Sequence, residues 1–386
     1  MASVGKGSYA GGADDYYPDG YGEKITGNLW SSAADGDDAW EFLNSGKTTV
    51  NVISGNVGYI DESNPANSMK NELPYGNVIG GSAGEAAPNL PADLLEDRYL
   101  YSPAFYSGYV NETDVTIGGY RCKTAYTGHA VGELITANDF KDVAVGDTAK
   151  WQLVGPTIFA NVYGGGQDGH VRRDTKVTVL SGEIGRPYNS DNTAILGNLQ
   201  LVNGSLNPQW LHRGNVYGGG SGITQYNYDF NYDGDTADAN EQGYSSSSGS
   251  VSRFTEVNVL GGIVHRNVYG GGSLGSVGAP DLGQEYDPYK KDLSEGNKAN
   301  WGKQSQCTVN ISGQIGTVLN SRSHYGGDVF GACRGNTSLN ADEFGTAVWT
   351  RVSILDGATI FGNVFGGGDA GIVRKNAEVI IGDNAE

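Results

Sequence analysis

Asn161-Val162-Tyr163-Gly164-Gly165-Gly166 is the stretch that decides how this chain is read. It returns as Asn215-Val216-Tyr217 with Gly218 to Gly220, and as Asn267-Val268-Tyr269 with Gly270 to Gly272. The last copy is Asn363-Val364-Phe365 with Gly366 to Gly368. Degenerate copies run from Gly76-Asn77-Val78-Ile79 to Gly81 and from Asp328-Val329-Phe330 to Gly331. Self-similarity of this kind marks a repeat architecture and takes precedence over any local reading.

A second signature alternates with the first: apolar, any residue, apolar, then turn residues. Its copies are Val50-Asn51-Val52, Val115-Thr116-Ile117, Val177-Thr178-Val179, Val257-Asn258-Val259, Val309-Asn310-Ile311, Val352-Ser353-Ile354 and Val379-Ile380-Ile381. Short β-branched runs followed by turns are strand signals. Asn161 to Ile184 aligns without gaps on Asn363 to Glu386, matching Gly169 to Gly371, Val171 to Val373, Arg172 to Arg374 and Val177 to Val379.

A strand this short buries one or two side chains and cannot hold a fold alone. Stacked about 4.8 Å apart, such strands satisfy one another's backbones and align their apolar side chains into one core. The Gly runs are expected to supply positive φ and sharp corners. Asn77, Asn161, Asn215, Asn267 and Asn363 are expected at those corners, bonding from one coil to the next as Asn ladders do. The aromatic residue two places later should stack on its counterpart. The one tolerable helical stretch, Glu85 to Glu96, is interrupted by Pro88 and Pro91.

The sequence therefore predicts an all-β fold, a parallel β-helix (β-solenoid) of seven coils or more. Residues 1–45 are read as an N-terminal cap or a loop-rich first coil, and 46–386 as the solenoid. Long insertions are expected after the Gly corner, on one side, at 61–74, 85–111, 186–208, 224–252, 278–304 and 336–346. Further strands are expected at Trp151 to Val154 and Leu199 to Val202. Met1 to Gly12 has one Lys and no apolar run, so it does not read as a secretion signal. Glu386 follows directly on a strand pattern, and the whole reads as a fragment of a longer array.

These two signatures, over residues 45–386, resemble the repeats of very large Gly-rich, adhesin-like surface proteins of gut bacteria. That resemblance implies a cell-surface or extracellular location and a role in attachment or display. It carries over no catalytic residues.

Composition excludes several classes. Of 386 residues 62 are Gly and 38% are hydrophobic, which suits a thin, elongated core. The net charge of −19 argues against attraction to nucleic acid or anionic membranes. No apolar run reaches the ~18 residues of a membrane span. Cys122, Cys307 and Cys333 are too few for a disulfide framework and are expected as buried free thiols; the alternative is that Cys307 and Cys333, about one repeat apart, stack in adjacent coils.

Candidate chemistry is confined to the insertions. Asp229, Asn231, Asp233, Asp235 and Glu241 place oxygen ligands and a turn-making Gly234 at the spacing of a Ca²⁺ loop. Glu241 is one place late for an EF-hand, and Thr236 stands where an apolar anchor is usual. Tyr226, Tyr228, Tyr232 and Tyr244 surround that segment and suit a glycan or a host or bacterial surface protein. The Gly clusters lack the Lys and the helix of a phosphate-binding loop. His170, Arg172, Arg173 and Asp174 could serve a β-helical polysaccharide lyase or glycosidase, but the aligned copy, Ile372, Arg374, Lys375 and Asn376, keeps only the bases. A phage tail-fibre or tailspike module is the other alternative. The expectation is a non-catalytic binding segment, monomeric, with Ca²⁺ as its one candidate cofactor.

Overall fold

The computed structural model describes residues 47–58, 76–84, 108–110, 112–126, 128–137, 139–140, 148–171, 173–185, 213–227, 242–246, 248–278, 306–320, 323–339 and 344–382. The chain is all-β over these residues. Helical structure among them is limited to residues around 137–140 and to a 3-10 turn, Thr148–Lys150. The N-terminal segment 1–45 and Leu199 to Val202 lie outside the described residues.

Three parallel sheets carry the fold. The first joins seven longer strands in chain order: Lys47–Val52, Glu112–Ile117, Thr175–Val179, Thr255–Val259, Gln306–Ile311, Trp349–Ile354 and Ala377–Ile381. The second joins six two-residue strands, also in chain order, from Asn56–Val57 through Glu183–Ile184 to Thr359–Ile360. The third joins the signature strands Val78–Ile79, Val162–Tyr163, Val216–Tyr217, Val268–Tyr269, Val329–Phe330 and Val364–Phe365. Each layer of the molecule thus gives one strand to each sheet in turn, and the next layer repeats it in register.

The register explains the residue choice. Val50, Val115, Val177, Val257, Val309, Val352 and Val379 form one continuous column. Val57, Ile158, Ile184, Val264, Ile315 and Ile360 form another in the second sheet. The signature valines form a third, and all three meet in one core. Every such position is Val or Ile, because a β-branched side chain fits a pleated surface and packs on its own copy above. Each side chain contributes about 1.5–3 kcal/mol on full burial.

The Gly corners correct the expectation about φ. None of the signature glycines, 80–81, 164–166, 218–220, 270–272 or 366–368, has a positive φ. They are required by close approach instead. A Cβ on Gly164, Gly218 or Gly270 would overlap the carbonyl oxygen of the corresponding glycine in the next layer. Left-handed positions lie elsewhere, among them Gly76 and Gly214 directly before the signature Asn (φ 95° and 78°), Gly182 (φ 98°) and the non-glycines Asp168, Leu274 and Ala370 (φ 54°, 65° and 55°).

A second column was not legible as such in the sequence. Thr113, Thr175 and Thr255 each donate from Oγ1 to the carbonyl of Gly164, Gly218 and Gly270, at 2.6 Å each. Thr350 does the same to Gly366 at 2.5 Å. Cys307 occupies this position in the fifth layer. There the corner reads Gly331-Ala332-Cys333, and Cys307, Ala332 and Cys333 pack with Val171, Val251, Val277 and Ala347. The two cysteines are free, buried and in the same layer, not in adjacent ones.

By position in the chain, residues 59–75 and 186–212 and the hairpin Thr317–Asn320/Ser323–Tyr325 precede a signature strand. Residues 85–107, 223–250 and 336–345 follow a corner, and 279–305 precede a long strand. Most of these segments, and the side on which they lie, are outside the described residues. Residues 118–156 leave after a long strand and build their own antiparallel sheet, Leu134–Ile135, Gly119–Cys122 and Trp151–Val154.

Candidate functional site

The Asn residues of the signature are brought together as a ladder. Asn161 donates from its backbone N–H (3.0 Å) and its Nδ2 (3.3 Å) to Asn77 Oδ1. Asn215 makes the same pair of bonds to Asn161 Oδ1, at 3.0 and 3.2 Å. The ladder then breaks, since Asn267 Nδ2 donates to its own layer's Tyr269 hydroxyl at 3.2 Å. Asn215 Oδ1 is left buried with no hydrogen-bond partner, a loss of about 1–3 kcal/mol. It resumes beyond: Asp328 N–H donates to Asn267 Oδ1 (3.1 Å), and Asn363 donates twice to Asp328 Oδ1, at 2.8 and 3.1 Å. The degenerate Asp328 keeps the acceptor that the ladder needs.

The aromatic residues form a parallel column. Tyr163, Tyr217, Tyr269, Phe330 and Phe365 stack with ring centroids 4.8–4.9 Å apart and planes within 10°. Burial raises the Tyr163 and Tyr269 hydroxyls well above the usual phenol range. Tyr269 also donates to Asp369 Oδ2 at 3.2 Å. These columns tie one layer to the next.

The candidate binding insertion begins as a hairpin. Gln225–Asn227 pairs antiparallel with Gln242–Tyr244, so Asn227 lies opposite Gln242 at the base of segment 228–241. Tyr226 and Tyr244 sit half-buried on it, and burial raises the Tyr226 hydroxyl. Tyr228, Tyr232 and the Ca²⁺ candidates Asp229, Asn231, Asp233, Asp235 and Glu241 lie outside the described residues. Among the described residues no three His, Cys, Asp or Glu side chains converge as a metal site.

One side chain roots this hairpin. Asp168 is 3% exposed, and its Oδ2 accepts from Thr224 Oγ1 at 2.5 Å, directly before the hairpin strand. Its other oxygen has no partner. Burial therefore raises its pKa from 3.8 to about 6, against the pull of Thr224. Sequence reading passed over Asp168 because a single acid beside a Gly carries no mark of burial.

The alternative cluster is dispersed. His170 is buried and its Nδ1 lies 3.0 Å from Ser250 Oγ. Arg173 pairs with Glu112 at 3.2 Å, one layer down. Asp174 accepts from the Phe254 N–H at 3.3 Å and lies 3.9 Å from Arg253, one layer up. Burial raises the Asp174 carboxyl, and Arg253 and Arg173 oppose that rise. These bonds tie neighbouring layers. Arg172 lies outside the described residues.

Two further features escaped the sequence reading. The insertion 118–156 packs Tyr120 on Phe140 (3.7 Å) and sets Tyr126, His129 and Phe140 edgewise against Trp151. Glu133 accepts from His129 and the Ala130 N–H, which holds its carboxyl below the ordinary range. The second feature is an open depression of about 940 Å³ over the last long strands. Gln306, Trp349, Arg351, Lys375 and Glu378 line it, with Arg351 3.5 Å from Glu378. An indole beside cationic and amide donors is chemistry that takes a sugar ring or an acidic group.

Comparison with known protein families, with characterised proteins and with solved structures finds no match to this chain. No helix among the described residues is long and apolar enough to cross a membrane, which says nothing of β-barrels.

Proposed function

We propose that this chain is a β-solenoid segment of an adhesin-like bacterial surface protein, a non-catalytic scaffold that presents its insertions to a glycan or protein ligand. One observation carries the reading. Equivalent residues occupy equivalent register positions in successive layers, and many of their polar groups bond to neighbouring layers. What varies from layer to layer is the insertion chemistry. The Tyr226/Tyr244 hairpin, with its acidic segment as a Ca²⁺ loop, and the Trp349 depression are the proposed contact surfaces, outside the cell.

A glycan-array screen of the whole chain, with Ca²⁺ and with chelator, tests this. The expected result is retention of a glycan without turnover, weakened by Tyr226→Ala, Tyr244→Ala or Trp349→Ala. Release of sugar fragments would overturn the non-catalytic reading. Melting and binding that ignore chelator would remove Ca²⁺ from it.

A further inference from the structure

One place in the corner separates a single layer from the rest. Seven residues after the signature Asn, or after Asp328, stand Gly84, Gly222, Leu274, Gly335 and Ala370. Asp168 holds the same place in its own layer. The fold therefore asks for no acid there. Asp168, Leu274 and Ala370 share a left-handed backbone, with φ of 54°, 65° and 55°, so the carboxyl is not needed for the bend either. An L-residue at such a φ carries a cost, and a buried carboxylate adds a larger one.

What the carboxyl touches belongs to the hairpin. Thr224 Oγ1 donates to Asp168 Oδ2 at 2.5 Å, and the strand Gln225–Asn227 starts at the next residue. Its partner strand, Gln242–Tyr244, leads back towards Ser250, whose Oγ lies 3.0 Å from His170 Nδ1. Asp168 Oδ1 is buried with no partner. Burial is the largest influence on the carboxyl and the bonds from Thr224 oppose it; no Lys or Arg among the described residues is set against it. The titratable groups beside it are His170, two residues on, and Tyr226 of the hairpin. Neutral, Asp168 keeps its Thr224 bond at little desolvation cost. Ionised, it holds a charge with one bare oxygen inside the protein, which water would relieve. Lifting the base of the hairpin off the corner admits that water.

We propose that protonation of Asp168 controls how firmly the hairpin base, Gln225–Asn227 with Gln242–Tyr244, is seated on the scaffold: firmly when the carboxyl is neutral, loosely when it is ionised. The device rests on the proposed function only in that Tyr226 and Tyr244 meet a ligand; the seating itself needs none. The carboxyl ionises near 3.8 in water and at about 6 when seated. Below pH 4 both forms hold the proton, and pH leaves the hairpin alone. From about pH 4 to 6 only the seated form holds it, so seating weakens as pH rises. The opening equilibrium grows about 50-fold from pH 4 to 7.

Hydrogen exchange of the whole chain tests it, followed by mass spectrometry from pH 4 to 7 and corrected for the intrinsic pH dependence of exchange. In wild type, peptides covering the hairpin base should lose protection by about 50-fold across that range, while the strand Thr175–Val179 keeps its own. Asp168→Asn should abolish the pH dependence. Asp168→Ala should do the same, since Ala370 fills the equivalent place. Hairpin protection that does not change with pH in wild type would overturn the proposal. So would a fall that persists in both variants, which would trace it to His170 or to the acidic segment 228–241. An equal fall at Thr175–Val179 would mean unfolding of the scaffold and would overturn it too. The readout involves no glycan, so failure here leaves the binding reading standing, and a chain that binds no glycan can still show the switch.

Discussion

Two corners with one sequence behave differently. Gly218 to Gly220 and Gly366 to Gly368 both follow Asn, Val and an aromatic residue. At the first, the next layer presses on the backbone and leaves no room for a Cβ. At the second, Gly367 faces no described atom. Neither corner has a positive φ. Glycine is thus imposed here by the neighbour across the layer and not by the local bend, and the repeat is a record of stacking.

That contrast can be broken. Gly218→Ala should cost at least about 3 kcal/mol, because the Gly270 carbonyl it meets is backbone and cannot move aside. Gly367→Ala should stay within about 0.5 kcal/mol of wild type. Chemical denaturation of the pair decides it, and equal losses would remove the stacking explanation.

The same contrast extends to the apolar columns. Ile311 is fully buried and Ile381 is 73% exposed, though both end long strands in one register. Ile311→Ala should cost about 2–5 kcal/mol, and Ile381→Ala about 0.5 or less. Similar losses would show that the last layer is as enclosed as the fifth.

Asp168 sharpens the comparison between scaffold and insertion. Its carboxyl loses a proton near 3.8 in the unfolded chain and near 6 in the folded one. Below pH 4 both states are protonated and burial costs little. From about pH 4 to 6 the folded state alone holds the proton, so stability falls as pH rises, by up to about 3 kcal/mol. Asp168→Asn should flatten that dependence and raise stability at pH 7. Asn also tolerates the left-handed φ of 54°. A melting temperature that keeps its wild-type slope between pH 4 and 6 would rule Asp168 out as the source.

The smallest effect separates two Asn residues. Asn161→Ala removes the acceptor for two Asn215 bonds inside the stack and should cost about 1–3 kcal/mol. Asn363→Ala removes only the Nδ2 donor at an exposed site and keeps the backbone N–H bond to Asp328, so it should cost under about 1 kcal/mol. Equal costs in thermal melts would mean that the ladder adds nothing beyond each local turn.

Much of the scaffold was legible because stacking writes itself into sequence. Val177 and Val379 could be aligned from the text alone, and the structure puts them in one column. The Asn ladder and the aromatic stack were legible for the same reason. The Thr column was missed, because Thr113, Thr175 and Thr255 precede the apolar pair like any polar residue, and only the corner carbonyl reveals their role. The insertion 118–156 was half read: Trp151 to Val154 is a strand, but its partners run antiparallel and lie apart from the repeat. Asp168 and the Trp349 depression depend on residues far apart in sequence, and no local spacing announces them.

The central claim is that successive layers stack in register along one line. Thr49 and Glu378 stand in one outward column, six strand-to-strand steps apart through Asp114, Lys176, Glu256, Thr308 and Arg351. Spin labels at Thr49→Cys and Glu378→Cys, in a chain diluted with unlabelled protein and with the buried cysteines left in place, measure that span. The ladder predicts a narrow distribution centred near 29 Å, from steps of about 4.8 Å. A broad distribution, or a peak well below 20 Å, would contradict it.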